Sequence, residues 1–102
     1  KDGFTADVVE YWNSFARVRK DLFNVIDIVA VRPGETVGVQ TTSYSGVSAR
    51  VKKILAEPKA LDWIRGGNRL VVHGWRKKLD KGKARQVWTC REVEITEEDF
   101  DG

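Results

Sequence analysis

The residues with the most to offer chemically lie between positions 22 and 42, LFNVIDIVAVRPGETVGVQTT. Asp27 stands there among Val25, Ile26, Ile28 and Val29. A carboxylate inside an apolar strand costs free energy unless it is paired, hydrogen-bonded or bound to a metal. Phe23 to Val31 reads as one strand and Thr36 to Thr42 as the next, with Pro33-Gly34 as the turn between them. If Pro33 and Gly34 take the corners, paired residue numbers sum to 67 and Asp27 faces Gln40. Directly opposed Cβ atoms lie about 4.5 to 5.5 Å apart. Thr42 shares the face of Gln40, because side chains alternate along a strand. Asp27, Gln40 and Thr42 are therefore expected to form one polar patch. A three-residue loop would instead bring Thr41 opposite Asp27, so the turn type decides.

Two more carboxylates bear on this patch. Glu10 lies in Phe4 to Trp12 (FTADVVEYW), a segment of strand composition, and joins the patch if its parity faces Asp27. An exposed glutamate on a half-solvated strand fits the same letters. Asp21, six residues before Asp27, is the second choice at the mouth of the strand.

The surrounding elements have to position these groups. Residues 13 to 21, NSFARVRKD, read as a loop that offers Arg17, Arg19 and Lys20 either to phosphate or simply to water. Ser43 to Gly46 is turn chemistry, and Ser45 or Ser48 can cap a helix. Val47, Val51, Ile54 and Leu55 then repeat with helical period, leaving Arg50, Lys52 and Lys53 mostly off the apolar stripe. Lys59 to Arg65 is a second helical stretch, with Pro58 suited to its first turn and Gly66-Gly67 to its end. A helix start placed just after Gln40 and Thr42 offers backbone N–H groups and a positive dipole end to an anion. A purely structural Ser-rich cap has the same composition.

Arg69 to Trp75 is a strand whose His73, the single histidine, is expected to be structural. Arg76 to Lys83 (RKKLDKGK) is a basic turn, and Arg85 to Ile95 is a closing strand. The hairpin carries Arg76, Lys77, Lys78, Lys81 and Lys83, flanked by Trp75 and Trp88. Lysines on an edge hairpin also protect a sheet from aggregation. Thr96 to Gly102 is acidic and expected to fray.

At 102 residues, 41% of them apolar and four of them Trp, the chain makes one domain over 1–95 with an acidic tail over 96–102. All 18 Lys and Arg lie in residues 1 to 91 with 9 acids, a charge of +9, whereas residues 92 to 102 hold 6 acids and no base. That distribution suits a polyanionic partner, although a solvated basic surface looks the same. The single Cys90 excludes an intrachain disulfide and a multi-Cys zinc site, and fits a reducing, cytoplasmic setting. No apolar run reaches the roughly 20 residues of a membrane span. KDGFTADV does not read as a signal peptide, and a chain that starts on Lys1 suggests a further N-terminal piece. The expected class is α/β (α+β): a small mixed sheet of about five strands with one or two helices, in the order βββαββ.

This order and spacing resemble the core of restriction-endonuclease-like nucleases of the PD-(D/E)xK superfamily, of which Holliday junction resolvases are small representatives. The likeness covers residues from about 4 to 75. Asp27 in NVIDIVAV falls where that family has its Asp, and Gln40-Thr41-Thr42 in VGVQTT falls where it has Glu-x-Lys. The resemblance implies a magnesium- or manganese-dependent DNA endonuclease, active as a homodimer. Asp27 and Gln40 would hold the ion, and Thr42 and Glu10 would complete the catalytic set. DNA would be gripped by Arg17, Arg19, Lys20, Ser45, Arg50, Lys52, Lys53, Arg76, Lys77 and Lys78. Three departures stand out. Gln40 replaces an acid, and an amide oxygen coordinates a hard cation without adding charge. Thr42 replaces the lysine, whose cation Arg50, Lys52 or Lys53 would have to supply. The family's first helix, a source of another carboxylate, would lie before Lys1. The alternative is an inactive domain of the same fold that binds nucleic acid or a protein partner.

Overall fold

The computed structural model describes residues 3–9, 11–13, 18–20, 22–23, 25–79 and 86–100. In chain order these form β1 (Thr5–Val8), β2 (Tyr11–Asn13), β3 (Val18–Lys20), β4 (Ile28–Arg32) and β5 (Glu35–Ser43). A 3-10 turn (Tyr44–Gly46) leads into α1 (Val47–Leu55) and α2 (Pro58–Arg65), followed by β6 (Arg69–Leu79), β7 (Gln86–Ile95) and a closing 3-10 turn (Glu97–Phe100). Five strands form one mixed sheet in the order β1-β4-β5-β6-β7, and β2 pairs with β3 apart from it. β5 and β6 run parallel; the other neighbours in the large sheet are antiparallel.

The β4–β5 hairpin turns on Pro33 and Gly34. Proline presets the first corner, and Gly34 takes the second at φ +77, where a side chain would be strained. Ile28 therefore pairs with Val39 and Arg32 with Glu35, the register whose numbers sum to 67. The β5–β6 crossover is made by two helices that cover one face of the sheet. Val47 and Ile54 of α1 are buried with Leu70, Val72 and Ile95, and Val51 and Leu55 pack beside them. Gly74 permits this approach, since a Cβ there would run into Val47. Pro58 occupies the first turn of α2, and the Glu57 side chain caps it by accepting from the Lys59 N–H. There are two short helices, not one kinked one. The Trp63 indole donates to the Arg69 carbonyl at 2.7 Å, tying α2 to the start of β6.

The opposite face is built from Val37, Val39 and Val71, and among the described residues only Phe4 and Ile28 pack against it. A shallow cavity of about 300 Å³ opens there, lined in part by Phe4, Ala6, Ala30 and Val71. Arg69 borders it and pairs with both Glu35 and Glu94.

Four segments differ from the sequence expectation, and one of them is the basic turn expected over 76–83, whose first residues, Arg76 to Leu79, continue β6 in its pairing with β7. Phe23 to Val31 is not one strand. Leu22 and Ile26 close a tight turn on each other through backbone bonds of 2.9 and 3.0 Å. Phe23 sits at φ +52, which a strand does not allow. Val25 and Ile26 owe their hydrophobicity to complete burial in the helix-side core, not to extended pairing. Phe4 to Trp12 divides after Val8, near the broken alternation at Val8-Val9. Its second half pairs with Val18–Lys20, so the expected 13–21 loop contains a strand. Finally, the acidic end does not simply fray: Phe100 packs on the core, Glu97 pairs with Arg65 at 2.9 Å, and Asp99 accepts from the Thr96 N–H at 2.8 Å. An aromatic residue with an apolar surface to cover outweighs the like charges around it. Among the described residues, no helix is long and apolar enough to cross a membrane.

Candidate functional site

Asp27 lies at the bend just before β4 and is 8% exposed. Its own N–H donates to the Val39 carbonyl at 2.9 Å, and its carbonyl accepts from the Val9 N–H at 2.8 Å. The β4–β5 ladder ends there, so the Thr41 N–H has no β4 residue opposite it. The carboxylate takes that place. Oδ2 accepts from the Thr41 N–H at 2.8 Å, the Thr41 hydroxyl at 3.0 Å and the Gln40 amide nitrogen at 3.2 Å. Three donors on one oxygen offset the desolvation that a buried carboxylate otherwise suffers.

Gln40 is 1% exposed, and its Oε1 has no hydrogen-bond partner among the described residues. Rotating the amide by half a turn would not cure this, because it would aim Oε1 at the carboxylate oxygen. The orphan is thus a consequence of the bond to Asp27. Leaving a buried acceptor unsatisfied costs about 1 to 3 kcal/mol, which a ligand of Oε1 would recover.

Asp27 and Gln40 come together as their register requires. Thr42 does not join them: the hydroxyl on Asp27 belongs to Thr41. Thr42 points to the helix side, where its Oγ1 lies against Gly46 at the entrance to α1. Facing alternation was right for Gln40 and Thr42, but a carboxylate at a strand end bonds the edge of its neighbour and reaches both faces. Glu10, Asp21 and Arg17 lie outside the described residues. Arg19 and Lys20 belong to the separate β2–β3 pair.

The remaining basic candidates divide between two places. Ser45 is exposed, with its hydroxyl 3.5 Å from that of Ser43. Neither Ser45 nor Ser48 caps α1; Gly46 is the N-cap and no side chain bonds there, because a 3-10 turn delivers the chain into the helix. Arg50 is half-buried in the first turn of α1, whereas Lys52 and Lys53 lie in its last turn. Arg76 stacks over the Tyr44 ring at 4.1 Å, with Arg91 on the same ring at 6.0 Å. Lys77 lies 5.2 Å from the Trp88 ring, and Lys78 continues the same strand. Tyr44 and Arg91 had no signal of their own; the pairing of Gly74 with Arg91 depends on a hairpin loop whose length the letters leave open. His73 is held by Glu92 at 2.7 Å, as expected of a structural histidine. Partial burial and Glu92 push the Cys90 thiol upward, which makes it a poor nucleophile.

Chemically, the described residues of the Asp27 corner offer one carboxylate and one buried amide oxygen. Among the described residues, no three His, Cys, Asp or Glu side chains gather as a metal-binding group. No protein-family model, curated protein or solved structure matches this chain.

Proposed function

We propose that the chain is a metal-dependent DNA endonuclease of restriction-endonuclease-like architecture, hydrolysing phosphodiesters at the Asp27 corner with Mg²⁺ or Mn²⁺. One observation carries the reading: a buried aspartate whose donors converge on Oδ2, beside a buried amide oxygen that no described group engages. The element order supports it. β1, β4 and β5 are successive neighbours, a helical crossover follows, and β6 returns parallel to β5. Asp27 and Gln40 also lie toward the end of the sheet where β5 and β6 finish, the side on which open α/β sheets bind ligands.

A hard cation fits a site of this kind, since Mg²⁺ takes oxygen ligands, keeps several waters and needs few protein groups. When bound, the ion supplies Lewis-acid polarisation of a phosphate oxygen and lowers the pKa of its water. Asp27 would hold it by its carboxylate, of which Thr41 and Gln40 engage only Oδ2, and Gln40 would contribute Oε1. Thr41 is a positioning residue: its N–H and hydroxyl fix the rotation of the carboxylate. Arg50, in the first turn of α1, is the better-placed substitute for the missing lysine. By analogy of fold, a homodimer would present one such corner to each of two strands.

The second reading is an inert domain of the same fold, and the described donor set favours it, with a single carboxylate among the described residues where the family has two. The two readings separate in one assay. Supercoiled plasmid, single-stranded and four-way-junction DNA are incubated with the chain and Mn²⁺. Cleavage by the native chain and none by Asp27→Asn, with DNA affinity kept within about threefold, is expected. Equal cleavage by both removes Asp27 from the site; metal-independent binding without cleavage leaves the inert domain.

A further inference from the structure

β5 ends at Ser43, level with Trp75, but β6 and β7 continue together to Leu79 and Gln86. The hairpin therefore projects past the sheet as a two-stranded arm. Trp75 pairs with Cys90 and Lys77 with Trp88, so both indoles and Lys77 share one face of the arm. Trp88 is 63% exposed and Trp75 40%. Two tryptophans that stabilise a hairpin pack ring on ring. Here the ring partner of Trp75 is the edge of His73, at 6.2 Å, and that of Trp88 is the Lys77 ammonium. Each ring keeps a surface open to solvent. The sequence between positions 76 and 85 has six Lys and Arg against one Asp, which suits a polyanion.

The geometry points to a base-stacking platform: Trp75 and Trp88 take unpaired bases of a single-stranded DNA segment, while Lys77, on the same face, meets its phosphates. This rests on the DNA reading above and names the substrate class, a single-stranded stretch in preference to continuous duplex. Aromatic rings beside a positive surface are the recurring means of holding single strands, because every base has a face to stack. In a duplex those faces are already occupied by neighbouring bases. A protein partner is disfavoured, since interface cores are depleted of lysine, and Lys77 lies against the Trp88 ring. Trp75 is two residues beyond His73, which is level with Thr41. That is about 7 Å along the strand, and Thr41, on the platform's face, is the residue whose hydroxyl bonds Asp27.

The test is fluorescence anisotropy in EDTA, comparing a labelled oligothymidylate with a duplex of equal length. The native chain should prefer the single strand. Trp88→Ala and Trp75→Ala should each weaken single-strand binding about 5- to 100-fold and leave duplex binding within twofold, with melting temperatures close to native. Trp88→Phe should retain most of the affinity and Trp88→Leu should not, which separates stacking from simple hydrophobic contact. Single-strand affinity indifferent to both rings overturns the proposal, and so does a change in oligomeric state when the rings are removed. Binding to neither DNA would sink the endonuclease reading as well. Equal, tryptophan-insensitive binding to both would sink only the platform.

Discussion

Asp27 and Glu35 bracket β4, one just before its first residue and the other opposite its last. Glu35 sits between two guanidinium groups, bonded to Arg32 at 2.6 Å and to Arg69. The hydrogen bond from Arg69, followed by that from Arg32, holds its carboxyl below the ordinary glutamate range. Arg69 is in turn pushed up by its bonds to Glu94 and Glu35. Asp27 is the more buried of the two, yet its described donors are an amide, a hydroxyl and a backbone N–H. Glu35 is neutralised by its neighbours and has little left to offer a ligand. The described donors of Asp27 are all neutral and all meet Oδ2, so they satisfy that oxygen without cancelling the charge. On the proposed function, full ion pairing fits a structural carboxylate and neutral donors on Oδ2 fit one kept for a ligand.

That contrast can be broken most directly at Asp27. Asp27→Asn keeps the shape and should lower Mn²⁺-dependent cleavage by well over the 10- to 100-fold typical of outer-shell changes; residual activity near native, measured in single-turnover cleavage, would make the two carboxylates equivalent. Thr41→Val should cost about 10- to 100-fold in cleavage and about 1 kcal/mol in stability. Thr42→Val, one residue away, should change cleavage little. If the two threonine variants behave alike, the carboxylate is not positioned as described. Gln40→Glu sharpens the comparison from the other side, by setting a second acid beside the first. Denaturation midpoints should fall without metal and rise with added Mn²⁺ more than in the native chain, following the mass-action gain of a ligand that binds the folded state.

The smallest effect is expected at Glu35. Its folded pKa lies below the unfolded one, so its contribution to stability is present above the ordinary value of 4.5 and is lost as pH falls through the folded value. Glu35→Gln should therefore melt slightly lower than native at pH 7. The gap should narrow below pH 4.5, vanish in stronger acid, and shrink in high salt because the pairs are at the surface. Cleavage should be unaffected. Loss of cleavage in this variant would show that both carboxylates serve the reaction.

How far these two sites were legible depended on how local their causes are. Pro33-Gly34 marks its own turn, and the two-residue corner that the structure adopts makes Asp27 and Gln40 neighbours. The stripe Val47, Val51, Ile54, Leu55 and the break at Pro58 are likewise read within a few residues. The identity of the hydroxyl was not legible, because Thr41 or Thr42 is chosen by where the β4 ladder stops. That stopping point is set by the turn at Phe23, which Val25 and Ile26 stabilise by burial under helices about 30 residues later. Neither the departure of Tyr11–Asn13 to pair with β3 nor the docking of Phe100 has a local cue, since each is settled by competition for a partner.

By itself the sequence determined the mixed class, the β4–β5 hairpin with two possible registers, the helical crossover, and the presence of a carboxylate that needed partners. Those follow from dihedral preference and apolar period, which act between near neighbours. Only the tertiary structure decided that Thr41 holds Asp27, that the Gln40 amide oxygen has no partner among the described residues, and that Trp75 and Trp88 open onto one face of a projecting arm. Each depends on which distant surfaces win the contest for burial and for the last hydrogen bonds at a strand end, and that contest has no local signature.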